Sequence, residues 1–376
     1  MVYEKLTTNR LDADLYNAVC CGNREKVHDL LAGGADPYAN CGRAMRASLG
    51  HPDIFAYFVS QKDVFNDHEL PAANHVLTDG VWQYVFPLLL PKLAHPNVTD
   101  WHGCTLLFSA VVGELGAAVE VLEAFGAKLS MTEQLHAAVA LNRISDVRDC
   151  IERGADVNAV YRDTTPLYAS LWSGEQSLWR TLLSAKADPN GVSPILWRNL
   201  MCLGLKSVNT FANVRSQGDV ALRFAAVYGM CDAIRDLLEF GASPNYVNYN
   251  NMTPFMDAVI SAQPAAATLL HKVQPSFSTV NWKLLYGCLV GDVHIVRDAI
   301  ASGADAKFRG DVKQAQMGSL GLSVCAQAFD LVQYLCRNCQ LDSHDVLTAF
   351  PLSKGDNTPV GRRITDEIRM IVEKYL

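Results

Sequence analysis

Apolar and polar positions alternate with a helical period along much of the chain, most clearly in "LHAAVALNRISDVRDCIERGADVNAV" at 135–160. Leu135 and Val139 fall on one face of a first predicted helix. Val147 and Ile151 fall on one face of a second, and the polar stretch "LNRIS" between them predicts a turn. The pattern therefore predicts a hairpin of two short helices.

The ends of this hairpin carry helix start and stop signals. We expect Thr132 to be the N-cap of the first helix and Gly154 to end the second in a left-handed conformation. Two such short helices expose more apolar surface than they can bury against each other. The sequence therefore predicts that neighbouring hairpins stack.

The same pattern returns along the chain in steps of roughly 27 to 35 residues, which is the range of repeat architectures. We place the predicted units by the first core residue of each. These residues are Leu15, Met45, Val76, Leu107, Leu135, Leu167, Ile195, Leu222, Phe255, Leu285 and Leu320. The units near 45, 76, 195 and 320 are placed largely by spacing, because their patterns are poorest.

Several units carry motifs at fixed positions. "TPLY" stands at 165–168, "TPFM" at 253–256 and "GADVN" at 154–158. With these motifs the sequence resembles the ankyrin-repeat family over about 15–340. The resemblance implies an all-α fold, an ankyrin-repeat solenoid of about eleven helix-turn-helix units. It also implies a concave groove, formed by first helices and β-hairpin fingers, that binds other proteins.

The predicted fingers are uneven. In "GAKLSMTEQLHAAV" at 126–139 one turn runs almost directly into the next helix, so we expect a truncated finger there. Fuller fingers are expected at 99–107, 160–167 and 247–255. Thr165 and Thr253 can cap the helices that follow the last two of these.

The chain divides into a predicted solenoid at 1–343 and a C-terminal capping segment and helix at 344–376. A polar cap on the last exposed core face is what solenoids need. An alternative remains open, because "LVQYLCRNCQL" at 331–341 faintly resembles the SOCS box of ubiquitin-ligase adaptors. "DLVQYLCRN" also fits an ordinary second helix of an ankyrin repeat.

Composition narrows the class of protein. Of the 376 residues 49% are hydrophobic and 19% charged, which allows a substantial core. The net charge is −7 and the pI about 5.8, which gives no support to nucleic-acid binding. No segment predicts a signal peptide or membrane insertion. Eleven cysteines without paired spacing indicate reduced thiols and a cytoplasmic protein, with a nuclear location also possible.

Candidate chemistry is sparse. Cys336 and Cys339 form a lone C-x-x-C, which we interpret as packing, as we do Cys20 and Cys21. His136 occupies the histidine position of the ankyrin motif, where the resemblance implies a bond to turn backbone. Phosphate loops, nucleophile elbows and zinc-protease motifs are missing from the sequence. We therefore expect no enzyme, no cofactor and no metal.

The resemblance places the candidate partner-binding residues on fingers and at the groove-facing ends of first helices. Tryptophan, tyrosine and arginine there are of the types that dominate binding energy at interfaces. The predicted residues are Trp101, His102, Tyr161, Arg162, Trp172, Ser173, Tyr249 and Asn250. Local packing is the alternative for each, whereas Trp179, Trp197 and Trp282 are expected in the core. The partner's identity and the oligomeric state are open.

Overall fold

The computed structural model describes residues 10–70, 73–77, 80–100, 103–161, 164–191, 220–248, 251–274, 276–308, 318–339 and 370. Within these ranges the chain is a succession of helix pairs, with isolated β-bridges and no longer strand. The all-α expectation is therefore confirmed for the described residues. Each pair joins a first and a second helix through a short turn.

The helices are labelled α1 to α20 in chain order, so that odd numbers are first helices and even numbers second helices. The first helices are α1 (Arg10–Cys20), α3 (Ala39–Ala47), α5 (Ala73–Val76), α7 (Leu106–Val112), α9 (Met131–Ala140), α11 (Pro166–Ser170), α13 (Ala221–Val227), α15 (Pro254–Ile260), α17 (Val280–Val290) and α19 (Ser319–Cys325). The second helices are α2 (Arg24–Ala32), α4 (Pro52–Ser60), α6 (Val81–Leu89), α8 (Gly116–Ala124), α10 (Ile144–Glu152), α12 (Gln176–Ser184), α14 (Cys231–Glu239), α16 (Pro264–Val273), α18 (Val293–Ala301) and α20 (Phe329–Asn338). Single 3-10 turns lie at Ser48–Gly50, Leu90–Lys92 and Leu171–Ser173.

The predicted first core residues lie in these first helices and are buried wherever the structure describes them. They are Leu15, Met45, Val76, Leu107, Leu135, Leu167, Leu222, Phe255, Leu285 and Leu320. The poorly patterned units near 45, 76 and 320 are therefore helix pairs like the others. Ile195, the anchor of the predicted unit that follows α12, lies outside the described residues.

The described chain divides into two compact units, and the boundary along the sequence falls within α11, between residues 169 and 170. In the first unit α1 packs on α3, α4 on α6, and both α5 and α9 on α7. In the second unit α12 and α16 pack on α14, α13 on α15, and both α15 and α19 on α17. Within each unit, first helices thus contact first helices and second helices contact second helices, as stacking requires.

α12 and α14, the second helices before and after the predicted repeat near 195, contact each other directly. The carboxylate of Asp236 on α14 accepts hydrogen bonds from Gln176 Nε2 at 3.0 Å, Trp179 Nε1 at 2.9 Å and Arg180 at 2.7 Å. Asn190 adds a fourth link, since its side chain accepts from the backbone N of Ser243 at 2.8 Å. The predicted repeat near 195 lies outside the described residues and stays a prediction.

The Asp236 carboxylate is almost completely buried, so its three donors replace water. Burial by itself would raise the pKa of Asp236, but the hydrogen bonds from Arg180, Gln176 and Trp179 lower it below its usual value. The charged form is therefore the one that folding favours. We refer to Asp236 with its three donors as the Asp236 clamp.

Caps at the helix starts agree with the sequence in part. Thr253 Oγ1 accepts from the backbone N of Met256, as predicted. The prediction of Thr132 as a cap was wrong, because α9 begins one residue earlier, at Met131. Ser130 is the N-cap, and it forms a capping box with Glu133.

The turn within most helix pairs uses a left-handed residue, and the turn between α3 and α4 is the exception among the described pairs. Gly174, Gly229 and Gly291 have φ of 70°, 65° and 74°. Ala262, at the same turn between α15 and α16, has a φ of 54° although it carries a Cβ. The left-handed conformation costs an L-residue about 1–2 kcal/mol, so the stack imposes this turn against local preference.

The finger bases are observed where fuller fingers were predicted. Thr99 bridges Thr105, and Tyr161 bridges Thr164, both in antiparallel fashion. The C-terminal segment at 344–376, apart from Met370, lies outside the described residues, so the capping role stays a prediction. In the described part of the chain, no helix is both long and apolar enough to cross a bilayer.

Removing the Asp236 carboxylate should destabilise the second unit. Asp236→Ala leaves the buried Trp179 Nε1 without its acceptor, and we expect a loss of about 2–4 kcal/mol of unfolding free energy. Urea denaturation measures the difference. Asp232→Ala, on the same helix but exposed, is the matched control and should cost less than about 0.5 kcal/mol. Equal losses in the two variants would contradict the clamp.

Replacing Ala262, the left-handed residue between α15 and α16, should stabilise the protein. Ala262→Gly removes the left-handed penalty but adds unfolded-chain entropy, so we expect a net gain of about 0.5–1 kcal/mol. The same urea experiment reads it. At the neighbouring turn, Gly229→Ala should destabilise, because Gly229 has a φ of 65°, which an L side chain rarely adopts, and the Gln263 side chain would also have to move. A loss of stability in Ala262→Gly would show that the turn is not left-handed.

Candidate partner-binding face

Trp172 is the predicted partner-binding tryptophan that the structure describes. It lies in the 3-10 turn that extends α11, and Gly174 then ends that turn. Its half-buried ring lies 4.9 Å from the ring of Phe224 on α13, centroid to centroid. The Phe224 ring is itself buried, and its centroid lies 4.4 Å from that of the half-buried Tyr228. We call Trp172, Phe224 and Tyr228 the aromatic row, because they continue from one first helix to the next.

A buried ion pair joins the next two first helices. Arg223 on α13 donates to both carboxylate oxygens of Asp257 on α15, at 2.6 and 2.9 Å. Their side chains are only 3% and 6% exposed. Such bidentate geometry fixes the angle between the two groups as well as their distance. The pair therefore fixes the register of α13 against α15 beside the aromatic row.

The sequence carries a signal for this pair that was not used. Arg223 interrupts the apolar run "ALRFAAV", and Asp257 interrupts "PFMDAVI". A charge inside an apolar helix face needs a partner, because an unpaired buried charge is very costly. Which residue is the partner depends on how the two helices stack, and the sequence does not give that.

Ser173 is exposed, but its hydroxyl takes part in local hydrogen bonds. Oγ donates to the carbonyl of Ser170 at 2.8 Å and accepts from the backbone N of Glu175 at 3.2 Å. The side chain thus supports the turn between α11 and α12. Its proposed contact with a partner is not tested by this geometry.

Tyr161 lies at a finger base, and its side chain is directed into the first unit. Its ring packs 4.7 Å from that of Phe108 and 5.5 Å from that of His136. Its hydroxyl donates to Glu133 Oε1 at 3.1 Å. Burial, then the nearby Cys104 and Glu133, raise the pKa of Tyr161. These contacts favour local packing for Tyr161, which was the alternative left open by the sequence.

Glu133 is the centre of this buried group. Its carboxylate also accepts from Thr105 Oγ1 at 2.7 Å and from the backbone N of Ser130 at 2.9 Å. Donors from three consecutive helix pairs thus converge on the Glu133 carboxylate. Thr105 precedes α7, Ser130 precedes α9 and Tyr161 precedes α11. Hydrogen bonds to a charged group are the stronger kind, so this group holds the finger bases together.

His136 bonds to turn backbone, as the resemblance implied. Nε2–H donates to the carbonyl of Ala159 at 2.9 Å. Burial lowers the pKa of His136 to about 4, and the bond to Ala159 offsets only part of that effect. The imidazole is therefore neutral in the folded protein at pH 7.

The remaining predicted site residues lie outside the described residues, and the contacts of their fingers are known only at the bases. These residues are Trp101, His102, Arg162, Tyr249 and Asn250. At one base the backbone N of Asp100 donates to the carbonyl of Cys104 at 2.7 Å. At another, Asn248 Oδ1 accepts from the backbone N of Met252 at 3.0 Å.

The tryptophans assigned to the core divide in the same way. Trp179 and Trp282 are buried, as predicted, and Trp197 lies outside the described residues. The sequence did not predict that Trp179 donates a hydrogen bond. Its Nε1 donates to Asp236, next to the bond from Arg180.

The thiols divide between exposed and packed. The expectation that Cys20 and Cys21 pack was wrong, because α1 ends at Cys20 and both are exposed. Burial raises the pKa of Cys288 to about 12, and it also raises the pKa of Cys336 and of Cys339. Raised values keep these thiols protonated and poorly nucleophilic at neutral pH. Among the described residues, no group of histidine, cysteine and acidic side chains is arranged to hold a metal ion.

The C-x-x-C lies at the end of α20, where Cys339 is the C-cap. α20 packs on α19 as the second helix of its pair. This is the arrangement expected of "DLVQYLCRN" as an ordinary second helix. The segment that the SOCS-like alternative needs beyond Cys339, apart from Met370, lies outside the described residues.

The family model for ankyrin repeats, described as "Ankyrin repeats (many copies)", matches residues 222–271. The matched stretch contains the Arg223–Asp257 pair and part of the aromatic row. No curated protein matches the chain. The chain therefore carries ankyrin repeats in the second unit, and ankyrin repeats generally mediate protein–protein interaction.

His136 predicts a specific dependence of stability on pH. The folded protein keeps His136 neutral down to about pH 4, whereas the unfolded chain takes up a proton near pH 6.5. The free energy of unfolding that His136 contributes is fully present above about pH 6.5, and it is lost as the pH falls towards 4. Between pH 7 and 5 we expect the wild type to lose about 1.5–2 kcal/mol from this group.

His136→Gln isolates that contribution, because glutamine can still donate to Ala159 but does not titrate. Urea denaturation of both proteins at several pH values measures the difference. All other titrating groups are common to the two proteins. Parallel stability curves between pH 7 and 5 would contradict the assignment.

Proposed function

We propose that the chain is a non-catalytic scaffold or adaptor that binds a protein partner through the face formed by its first helices and fingers. The ankyrin match at 222–271 supports protein binding as the general activity. The observation that supports this face is the aromatic row, which continues from Trp172 to Tyr228 across adjacent first helices. We expect the protein to act in the cytoplasm or the nucleus, by itself or as a subunit of a larger complex.

The physical argument rests on residue type and support. Aromatic rings contribute a large contact area with few rotatable bonds, which is why they dominate many interfaces. The Arg223–Asp257 pair holds the helices beside the row in a fixed register. A face that is rigid before binding loses less entropy on binding.

Among the predicted residues, Trp172 is the best supported. Tyr161 and Ser173 have local bonds that account for their side chains, so we assign each a supporting role in its own unit. The others extend the proposal to the finger tips. They are Trp101, His102, Arg162, Tyr249 and Asn250.

Affinity capture of the tagged full-length protein from its native cells tests the proposal. Trp172→Ala should reduce the recovery of a specific partner at least about tenfold, as quantified by mass spectrometry. The matched control is Phe240→Ala, which removes an exposed aromatic ring of the same unit from the end of a second helix. It should leave recovery unchanged.

A thermal melt of each variant separates binding from folding. Trp172 packs on Phe224, so a small fall in Tm is expected in Trp172→Ala. Trp172→Phe, which keeps an aromatic ring against Phe224, should restore the Tm while capture stays reduced. Recovery of the same assembly with all variants would refute the proposed face.

A further inference from the structure

α8 has an apolar strip on its solvent-exposed side. Ala117, Val121, Ala124 and Phe125 are all exposed, with Val121 at 40% and Phe125 at 37%. Residues four apart lie on the same side of a helix, so 117, 121 and 125 form one line with Ala124 beside it. We call these four residues the α8 stripe. At 1.5 Å per residue it is about 12 Å long.

α10 and α18 have polar residues at the same positions, and α14 shares only one apolar residue with α8, because Phe240 corresponds to Phe125 but the buried Asp236 corresponds to Val121. The left-handed glycines that follow them, Gly126 after α8 and Gly154 after α10, align the helices. Val121 and Phe125 then correspond to Asp149 and Arg153, whose side chains are 63% and 50% exposed. The fold accepts an exposed ion pair at this place in α10.

The comparison extends to α18. Aligned on Gly303, Val121 corresponds to Asp298, which is exposed and pairs with Lys283. Phe125 corresponds to Ser302. Packing of the helix pairs therefore does not require apolar side chains at these positions. Their presence in α8 needs a reason outside the stack, and binding is the common one for exposed apolar surface.

Acidic side chains border the stripe. Glu120 and Glu123 are exposed on α8 itself. Among the described residues neither takes part in an ion pair, whereas Glu114 in the preceding turn pairs with Arg143. The nearest cation along the sequence is Lys128, beyond Gly126. The stripe thus combines exposed apolar side chains with two exposed carboxylates that form no ion pair with the described residues.

We propose that the α8 stripe binds an amphipathic helix of another protein, one with apolar side chains at i, i+3 or i+4 spacing and lysine or arginine beside them. Two turns of such a helix match the length of the stripe. The cations would face Glu120 and Glu123, which steers association and sets orientation.

A second copy of this chain is the less suitable occupant. A twofold contact places the same patch opposite itself. Glu120 and Glu123 of both copies would then meet in one interface, and each copy has a net charge of −7. Like charges brought together in this way oppose association.

A phage-displayed library of helical peptides, selected on the full-length protein, provides the test. Counter-selection uses the variant Val121→Asp/Phe125→Arg, which gives α8 the residues of α10. We expect enriched peptides with apolar residues at helical spacing and flanking lysine or arginine. A synthetic peptide of the enriched sequence should bind the variant at least about tenfold more weakly than the wild type.

The matched control is Asp149→Asn/Arg153→Gln, which changes the same two positions of α10 and should leave peptide affinity unchanged. Trp172→Ala should also leave it unchanged, which separates this site from the proposed first-helix face. Urea denaturation of both double variants should match the wild type, because all four positions are exposed.

Three outcomes would overturn the proposal. They are a selection without enriched sequences, enrichment of acidic or uncharged peptides, and equal affinity for wild type and the α8 variant. Light scattering provides a separate check. A concentration-dependent dimer that is lost in the α8 variant would assign the stripe to a second copy instead.

Discussion

Burial between neighbouring helix pairs is the constraint on which this structure depends. Most second helices have nine residues and only a narrow apolar face, as in α10, where Val147 and Cys150 are the buried side chains. Such a helix is marginal by itself, because its few internal hydrogen bonds do not offset the entropy of ordering it. Each pair becomes stable only when the next one covers it.

Polar contacts then decide how the pairs are aligned. Each of three groups joins neighbouring helix pairs through a buried carboxylate. They are the Asp236 clamp, the Arg223–Asp257 pair and the hydrogen bonds to Glu133. Apolar contact tolerates small shifts, whereas a carboxylate with several fixed donors does not. These groups set the register of the stack within each unit.

The sequence predicted the periodic part of the structure well. The anchor residues from Leu15 to Leu320 are buried where they are described, because a helical apolar face is a local property. Contacts between helix pairs were harder to predict. Spacing carries no information about which helices touch, whereas the hydrogen bonds from Gln176, Trp179 and Arg180 to Asp236 join α12 directly to α14. Tyr161 is of a residue type that is common at interfaces. Its packing against Phe108 and His136 depends on which helices touch, so the sequence did not predict it.

The direct contact of α12 with α14 has a consequence for how this chain evolves. Between Gly191 and Val220 the two pairs are already joined through Asp236 and Asn190, and the number of residues connecting them is not fixed by that junction. Chains with a longer or shorter segment between Gly191 and Val220 should therefore keep the contacts that Asp236 and Asn190 make.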